Sequence, residues 1–168
     1  MKSLLSAIDR LLIVIVGILL VAVLAVVSLQ VVMRYVFNAP TVWSEELATL
    51  LFVWFVMLGI GPVLKHQEHI KVEVLTELPS IWLKRLLHLL GNLVFIIVFA
   101  VLGYYALQLL PSADRQLMSG LSMALGANVQ MSVLYWAVPI GSAFVILFGL
   151  EKLFEPAHNS APELDGER

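Results

Sequence analysis

The sequence contains no cysteine, and only 13% of its 168 residues are charged. Without thiols there is no disulfide, no thiolate metal centre and no cysteine nucleophile. The shortage of charge excludes more. Soluble domains carry about a quarter charged residues, whereas 61% of this chain is hydrophobic and its mean hydropathy is +0.97. A soluble particle of this size needs polar side chains over its surface, so the excess apolar area has to face lipid. There is no surplus of basic charge either. The formal net charge is -2 and the pI about 6.0, which leaves no basic patch for nucleic acid. No nucleophile with its base, phosphate-cradling loop or continuous polar path stands out, so no enzyme activity and no catalytic residue is assigned.

What the chain does contain is four long uncharged runs, at 11–33, 47–64, 86–111 and 128–150. Each is long enough to cross a hydrocarbon layer of about 30 Å as a helix. The first follows a basic N-terminus, Met1-Lys2 to Arg10, in the manner of a secretory signal. At 23 residues it exceeds the roughly 7–15 of a signal's apolar region, and Ala22-Val23-Leu24-Ala25 within it is a poor cleavage site. It is expected to remain as a helix. Lys2, Arg10, Lys65, Lys71, Lys84, Arg85, Lys152 and Arg168 all fall on one side, leaving Arg34 and Arg115 on the other. The positive-inside rule then puts both termini in the cytoplasm. Between the second and third runs, Ile70, Val74, Leu75, Leu78, Ile81 and Trp82 share one helical face, which predicts an amphipathic helix lying in the membrane interface. The expected fold is therefore an all-α integral membrane protein. Four spans (about 11–33, 45–64, 84–110 and 129–153) form one domain, 1–156, with the interfacial helix between the second and third, and a disordered tail at 157–168.

The candidate functional residues cluster where the second span begins, at Trp43-Ser44-Glu45-Glu46-Leu47. With Ser44 as N-cap, Glu45 and Glu46 fall in the first helical turn, where free N–H groups and the helix dipole favour carboxylates. Such interfacial acids cap or pair more readily than they carry protons. Arg34 ends the preceding span, and the short turn at Asn38-Ala39-Pro40 brings the two helix ends together, so an ion pair between Arg34 and Glu46, or its neighbour Glu45, is expected. Farther on, the segment from Pro111 to Gln130 is too apolar for a free loop, suggesting contact with the membrane surface or a partner. In the fourth span, Pro139-Ile140-Gly141 is expected to kink the helix, with Ser142 compensating. Gln30, Asn92 and Gln108 are read as amides that join helices, and Gly59, Gly91, Gly103 and Gly141 as points of close packing.

Three histidines, His66, His69 and His88, lie toward the inner face and raise the alternative of a haem-bearing anchor in a redox complex. The spacing is poor, because bis-histidine ligation needs imidazoles facing each other across the bundle. The run His66-Gln67-Glu68-His69 does not form the HxxEH pattern of a zinc helix either. No metal or cofactor is assigned. A stand-alone small exporter using Glu45 or Glu46 as proton site is a further alternative.

Several pieces together resemble the small membrane subunit (DctQ type) of tripartite ATP-independent periplasmic (TRAP) transporters. They are Arg34-Tyr35-Val36-Phe37-Asn38, then Trp43-Ser44-Glu45-Glu46-Leu47, then Gly59 to Lys65 leading to His69-Ile70-Lys71-Val72-Glu73, and finally Val138-Pro139-Ile140-Gly141. The likeness spans about Asp9 to Glu155, with His66-Gln67-Glu68 standing where a basic residue and a glycine are common. The resemblance implies a multi-pass protein of the bacterial inner membrane that is itself non-catalytic. It would brace the scaffold of a large membrane transport subunit during sodium-coupled uptake of an organic acid, of the dicarboxylate or sialic acid class, delivered by a periplasmic substrate-binding protein. It also implies subunit-interface or ion-pair roles for Arg34, Trp43, Glu45, Glu46 and His69, with membrane lipid as a further partner. The bottom-up features agree: the chain offers long apolar helices and no charge within the spans with which to hold sodium or a carboxylate.

Overall fold

A computed structural model describes residues 2–66 and 81–154. These residues form α1 (Lys2–Tyr35), α2 (Val42–His66), α3 (Ile81–Ala113), α4 (Ser119–Leu125), α5 (Ser132–Tyr135) and α6 (Ala137–Phe154). Four stretches are long and apolar enough to cross a membrane: Leu5–Tyr35, Val42–Lys65, Leu89–Ala113 and Ser132–Glu151. The all-α, four-span expectation holds. The interfacial helix expected near 70–82 lies largely outside the described residues, as do His69 and the tail at 157–168.

Four antiparallel crossings give the molecule two ends. The terminal end gathers the start of α1, the finish of α2, the start of α3 and the finish of α6. The loop end carries the 36–41 turn and the segment from 114 to 131. α2 and α6 form the central pair; α1 packs along α2 and α3 along α6, while α1 and α3 are not packed on one another. Glycine makes the central contact possible. A Cβ on Gly141 of α6 would stand 2.6 Å from the carbonyl oxygen of Met57 in α2, a separation that real Cβ atoms do not adopt. Gly149 does the same for α6 and α3, where an added Cβ would lie 2.8 Å from Ile96. Gly91, expected at a close contact, faces open space instead. The buried core toward the terminal end is Leu12, Leu58 and Phe148, one from each of α1, α2 and α6.

Most apolar surface points outward. In the most apolar window of α1 only 6% of positions are buried, against 33% in the fourth span. Burial within this chain therefore does not account for the hydrophobicity of α1, whereas contact with lipid or another membrane protein does.

Two helix boundaries differ from expectation. α2 starts at Val42, so Ser44 is the third helical residue and not the cap. The Oγ atoms of Thr41 and Ser44 lie 2.6 Å apart, and the Ser44 hydroxyl donates to the Thr41 carbonyl at 2.8 Å. Ser44 is fully buried in this arrangement, and the helix begins at Val42, ahead of the expected cap. In the fourth span the interruption falls at Trp136, between α5 and α6, and not at Pro139. Pro139 is then the third residue of α6, within a first turn whose N–H groups have no helical partner, so the ring is tolerated. The Ser142 hydroxyl, expected to compensate a kink, is buried without a hydrogen bond.

Candidate functional site

The site is built at the loop end from the start of α2. Glu45 lies in the first turn and is exposed, and its Oε1 accepts from Gln30 Nε2 of α1 at 3.1 Å. Glu46, one residue on, is half-buried and points the other way, toward the segment after α3. Its Oε1 accepts from the backbone N–H of Gly120 at 3.1 Å and its Oε2 from that of Leu121 at 2.7 Å. These are the second and third residues of α4. The residue in the N-cap position, Met118, has no side chain able to accept from them. Glu46 therefore supplies, from another helix, the oxygen that Ser, Thr, Asp or Asn supplies locally in most helices, and adds a negative charge at the end that favours it.

Shape supports the same junction. Gly120 lies so close to α2 that a Cβ there would be 2.9 Å from Trp43 N and from the Val42 carbonyl carbon. Trp43 thus takes part through its backbone, in a contact that admits only glycine opposite. The rest of the segment folds on itself. Met118 N–H donates to the Val129 carbonyl and Met131 N–H to the Gln116 carbonyl, both at 2.9 Å, around a bridge between Leu117 and Gln130. Ser122 Oγ accepts from Val129 N–H at 3.0 Å. Gly126, at φ +64°, ends α4 in the left-handed conformation that glycine adopts without penalty. The apolar residues Met118 and Leu121, which suggested a membrane or partner contact, are buried inside the chain, while Met123 and Leu125 are exposed. Trp54 fixes α5 to α2 by donating its indole N–H to the Val133 carbonyl at 3.1 Å.

The structure corrects the expected ion pair. Neither carboxylate pairs with Arg34, because the backbone of α4 and the amide of Gln30 take their places. The Arg34 side chain is exposed, with its guanidinium 6.0 Å from the Tyr35 ring centroid. An ion pair does exist at the opposite end, and sequence reasoning missed it: Lys65 Nζ of α2 lies 3.3 Å from Glu151 Oε2 of α6, with Lys65 also 5.2 Å from the Phe148 ring centroid. Both residues immediately follow uncharged runs of parallel helices that finish at the same end, the signal that could have found them. Of the three amides, Gln30 joins α1 to Glu45, and Asn92 joins α3 to α6 by donating to the Gly149 carbonyl at 2.9 Å. Gln108 is exposed.

Chemically, these groups fasten helices to one another. Among the described residues no cluster of three or more His, Asp or Glu could hold a metal ion. The side chains of His66 and His88 and the whole of His69 lie outside the described residues. Both Glu46 oxygens are engaged by backbone donors, an arrangement that holds α4 in place.

A loop end clasped by side chains, a glycine-spaced central pair and four long apolar helices define a multi-pass helical protein of the membrane. The family model of tripartite ATP-independent periplasmic transporters, DctQ component, matches residues 23–159. The small sialic acid TRAP permease protein SiaQ of Vibrio cholerae is 32% identical over 139 residues, covering 81% of this chain and 75% of that protein. A small TRAP permease protein of Haemophilus influenzae, named as putative, is 26% identical over 136 residues, 79% of each chain. The sialic acid TRAP permease protein SiaT of Haemophilus influenzae is 45% identical over 62 residues, 37% of this chain but 10% of that much longer protein. The chain belongs to the DctQ component family of TRAP transporters. It is accordingly a small permease subunit, a transport component and not an enzyme, and a multi-pass protein of the bacterial inner membrane.

Proposed function

We propose that this subunit braces the stationary scaffold of a large TRAP transport subunit without binding the transported molecule itself. The single observation that carries this reading is α1: a 31-residue apolar span with 6% of its most apolar window buried within its own chain has its packing surface directed elsewhere. The uncharged middle of every span supports the same reading, since an intramembrane site for sodium or a carboxylate needs polar groups at that depth. The length of SiaT supports the pairing too, because sequence like this chain's occurs there within a far longer permease.

The loop end faces the periplasm in this proposal, as the excess of Lys and Arg at the terminal end favours. There the subunit shares the surface to which a periplasmic binding protein delivers its cargo, and the Glu46 clasp keeps the 114–131 segment in a fixed shape. Arg34, exposed and without a carboxylate partner among the described residues, is a contact for one of those proteins, with Trp43 beside it; His69 is proposed as a contact on the cytoplasmic side. The cargo is an organic acid taken up with sodium. Sialic acids and C4-dicarboxylates are the classes that the names of similar small permeases support.

Reconstitution tests the reading. Liposomes holding this chain alone should take up no sialic acid or C4-dicarboxylate in a sodium gradient, while uptake should require this chain, the large subunit and the binding protein together. Transport by the isolated chain, or full transport without it, would overturn the proposal.

A further inference from the structure

Contacts between the helices fix their relative heights at the loop end. An added Cβ on Gly59 of α2 would lie 3.6 Å from Val16 of α1, and counting equally toward the loop end along both helices sets Val42 beside Met33. The bond from Gln30 to Glu45 has the same register. Gly141 of α6 lies against Met57 of α2, and counting back equally in these two parallel helices sets Ser132 beside Ala48. Gly103 of α3 lies against Ser142, which sets Ala113 at the level of Ser132, and both of these residues are buried. The third and fourth spans therefore stop about 9 Å short of the start of α2, the rise of the six residues from Val42 to Ala48. The 114–131 segment fills this step.

α4 is docked on the wall of the step. It packs chiefly on α2, with Gly120 against the backbone of Val42 and Trp43 and with Glu46 accepting from its first N–H groups. Met118 and Leu121 turn inward, whereas Met123 and Leu125 are 87% and 65% exposed. Outside the helix, the backbone N–H groups of Gln116, Met118, Val129 and Met131 all find acceptors within the chain, the condition that irregular backbone has to meet where water is scarce. No charged residue occurs between Arg115 and Glu151, so the uncharged surface of the fourth span continues without a break across the segment. Asp114 and Arg115, exposed at the base of the step, set its depth at the headgroups and not within the hydrocarbon.

We propose that α4 is an interfacial helix whose outward side, carrying Met123 and Leu125, is seated in lipid at the boundary of headgroups and acyl chains in the leaflet at the loop end. Interfacial helices bury an apolar face about 5–10 Å into that boundary, which matches the depth of the step. The position of α4 beside the first turns of α2, and not above them, carries the assignment: a helix standing clear of α2 would meet water, and this one meets the level where lipid begins. A protein docking here would find no charge between Arg115 and Glu151 and few free backbone donors to set its register, whereas lipid asks only for apolar side chains. The inference needs the membrane placement of the fold alone and is independent of the bracing role.

Spin labelling of the full chain in vesicles of phosphatidylethanolamine and phosphatidylglycerol tests the assignment, and the label is selective because the sequence has no cysteine. Each nitroxide is read by its collision rate with oxygen, which concentrates in lipid, relative to that with a water-soluble nickel chelate. This ratio should be higher at Met123→Cys and at Leu125→Cys than at Arg115→Cys, an exposed position at the base of the step. The order should persist when the labelled chain is assembled with the large subunit and the binding protein. A ratio at either position no higher than that at 115 would put the side chain in water and overturn the proposal. Low collision with both reagents, in the chain alone or in the assembled transporter, would put protein over α4 and overturn it as well. Neither result alters what the reconstitution above reports on bracing.

Discussion

The carboxylate of Glu46 stands 2.7 Å from the backbone nitrogen of Leu121, a residue 75 positions later in the chain. A helix of the 114–131 segment is thus capped by a side chain from a membrane-spanning helix, and one carboxylate ties that helix to α2.

Replacing that carboxylate should loosen the segment selectively. Glu46→Ala leaves two half-buried N–H groups without an acceptor, at a cost of about 2 kcal/mol, while Glu46→Gln keeps one acceptor oxygen and should cost less. Thermal unfolding of the detergent-solubilised chain, with limited proteolysis between 114 and 131, should rank the variants Ala, Gln, then wild type in increasing resistance. Glu45→Ala, which loses only an exposed bond to Gln30, should lie close to wild type.

Arg34 should behave differently from its neighbours. Because it pairs with neither acid, a double-mutant cycle of Arg34→Ala with Glu46→Ala should show coupling within the roughly 0.3–0.5 kcal/mol of independent sites. Uptake by the assembled transporter should nonetheless fall in Arg34→Ala if this side chain meets a partner. Strong coupling in the isolated chain would restore the direct ion pair.

Two glycines provide a matched comparison. Gly141→Ala places a Cβ against the Met57 carbonyl and should destabilise by about 1–3 kcal/mol through overpacking. Gly91→Ala meets nothing within 4 Å and should stabilise α3 by about 0.5–1 kcal/mol, because alanine loses less backbone freedom in a helix. Melting temperatures of the two variants should move in opposite directions.

The pair at the terminal end should be real but modest. A cycle of Lys65→Met with Glu151→Gln is expected to give about 0.5–1 kcal/mol of coupling, decreasing as salt is raised. Coupling that is absent at low salt would contradict the geometry.

The spans were legible in the sequence because a bilayer imposes one condition on all of them, an uncharged run of sufficient length. Their ends were less so. α1 begins at Lys2 because helical hydrogen bonding continues through the polar residues before Leu11, and α2 begins at Val42, with Ser44 turned back to bond Thr41 and not left at the helix end. α4 had a local signal in Gly126, the residue type that closes helices in the left-handed conformation, but seven residues are too few for periodicity to register. The partner of Glu46 had no local signal. Two backbone N–H groups look the same in every sequence, and only the docking of Gly120 against Val42 and Trp43 brings them within reach. Arg34 was the readable choice because charge is visible in a sequence and unpaired backbone is not.

The first helix, 34 residues long, measures about 50 Å as a straight rod, well beyond an oily layer of about 30 Å. It is held along one side by α2, through Leu12, Val16 and Leu19 toward one end and through Gln30 and the turn at the other, with its opposite side free of the chain. A rod of that length must lean steeply or stand clear of the bilayer at its N-terminus, so thinning or thickening the membrane should change its slope before it disturbs anything else in the subunit.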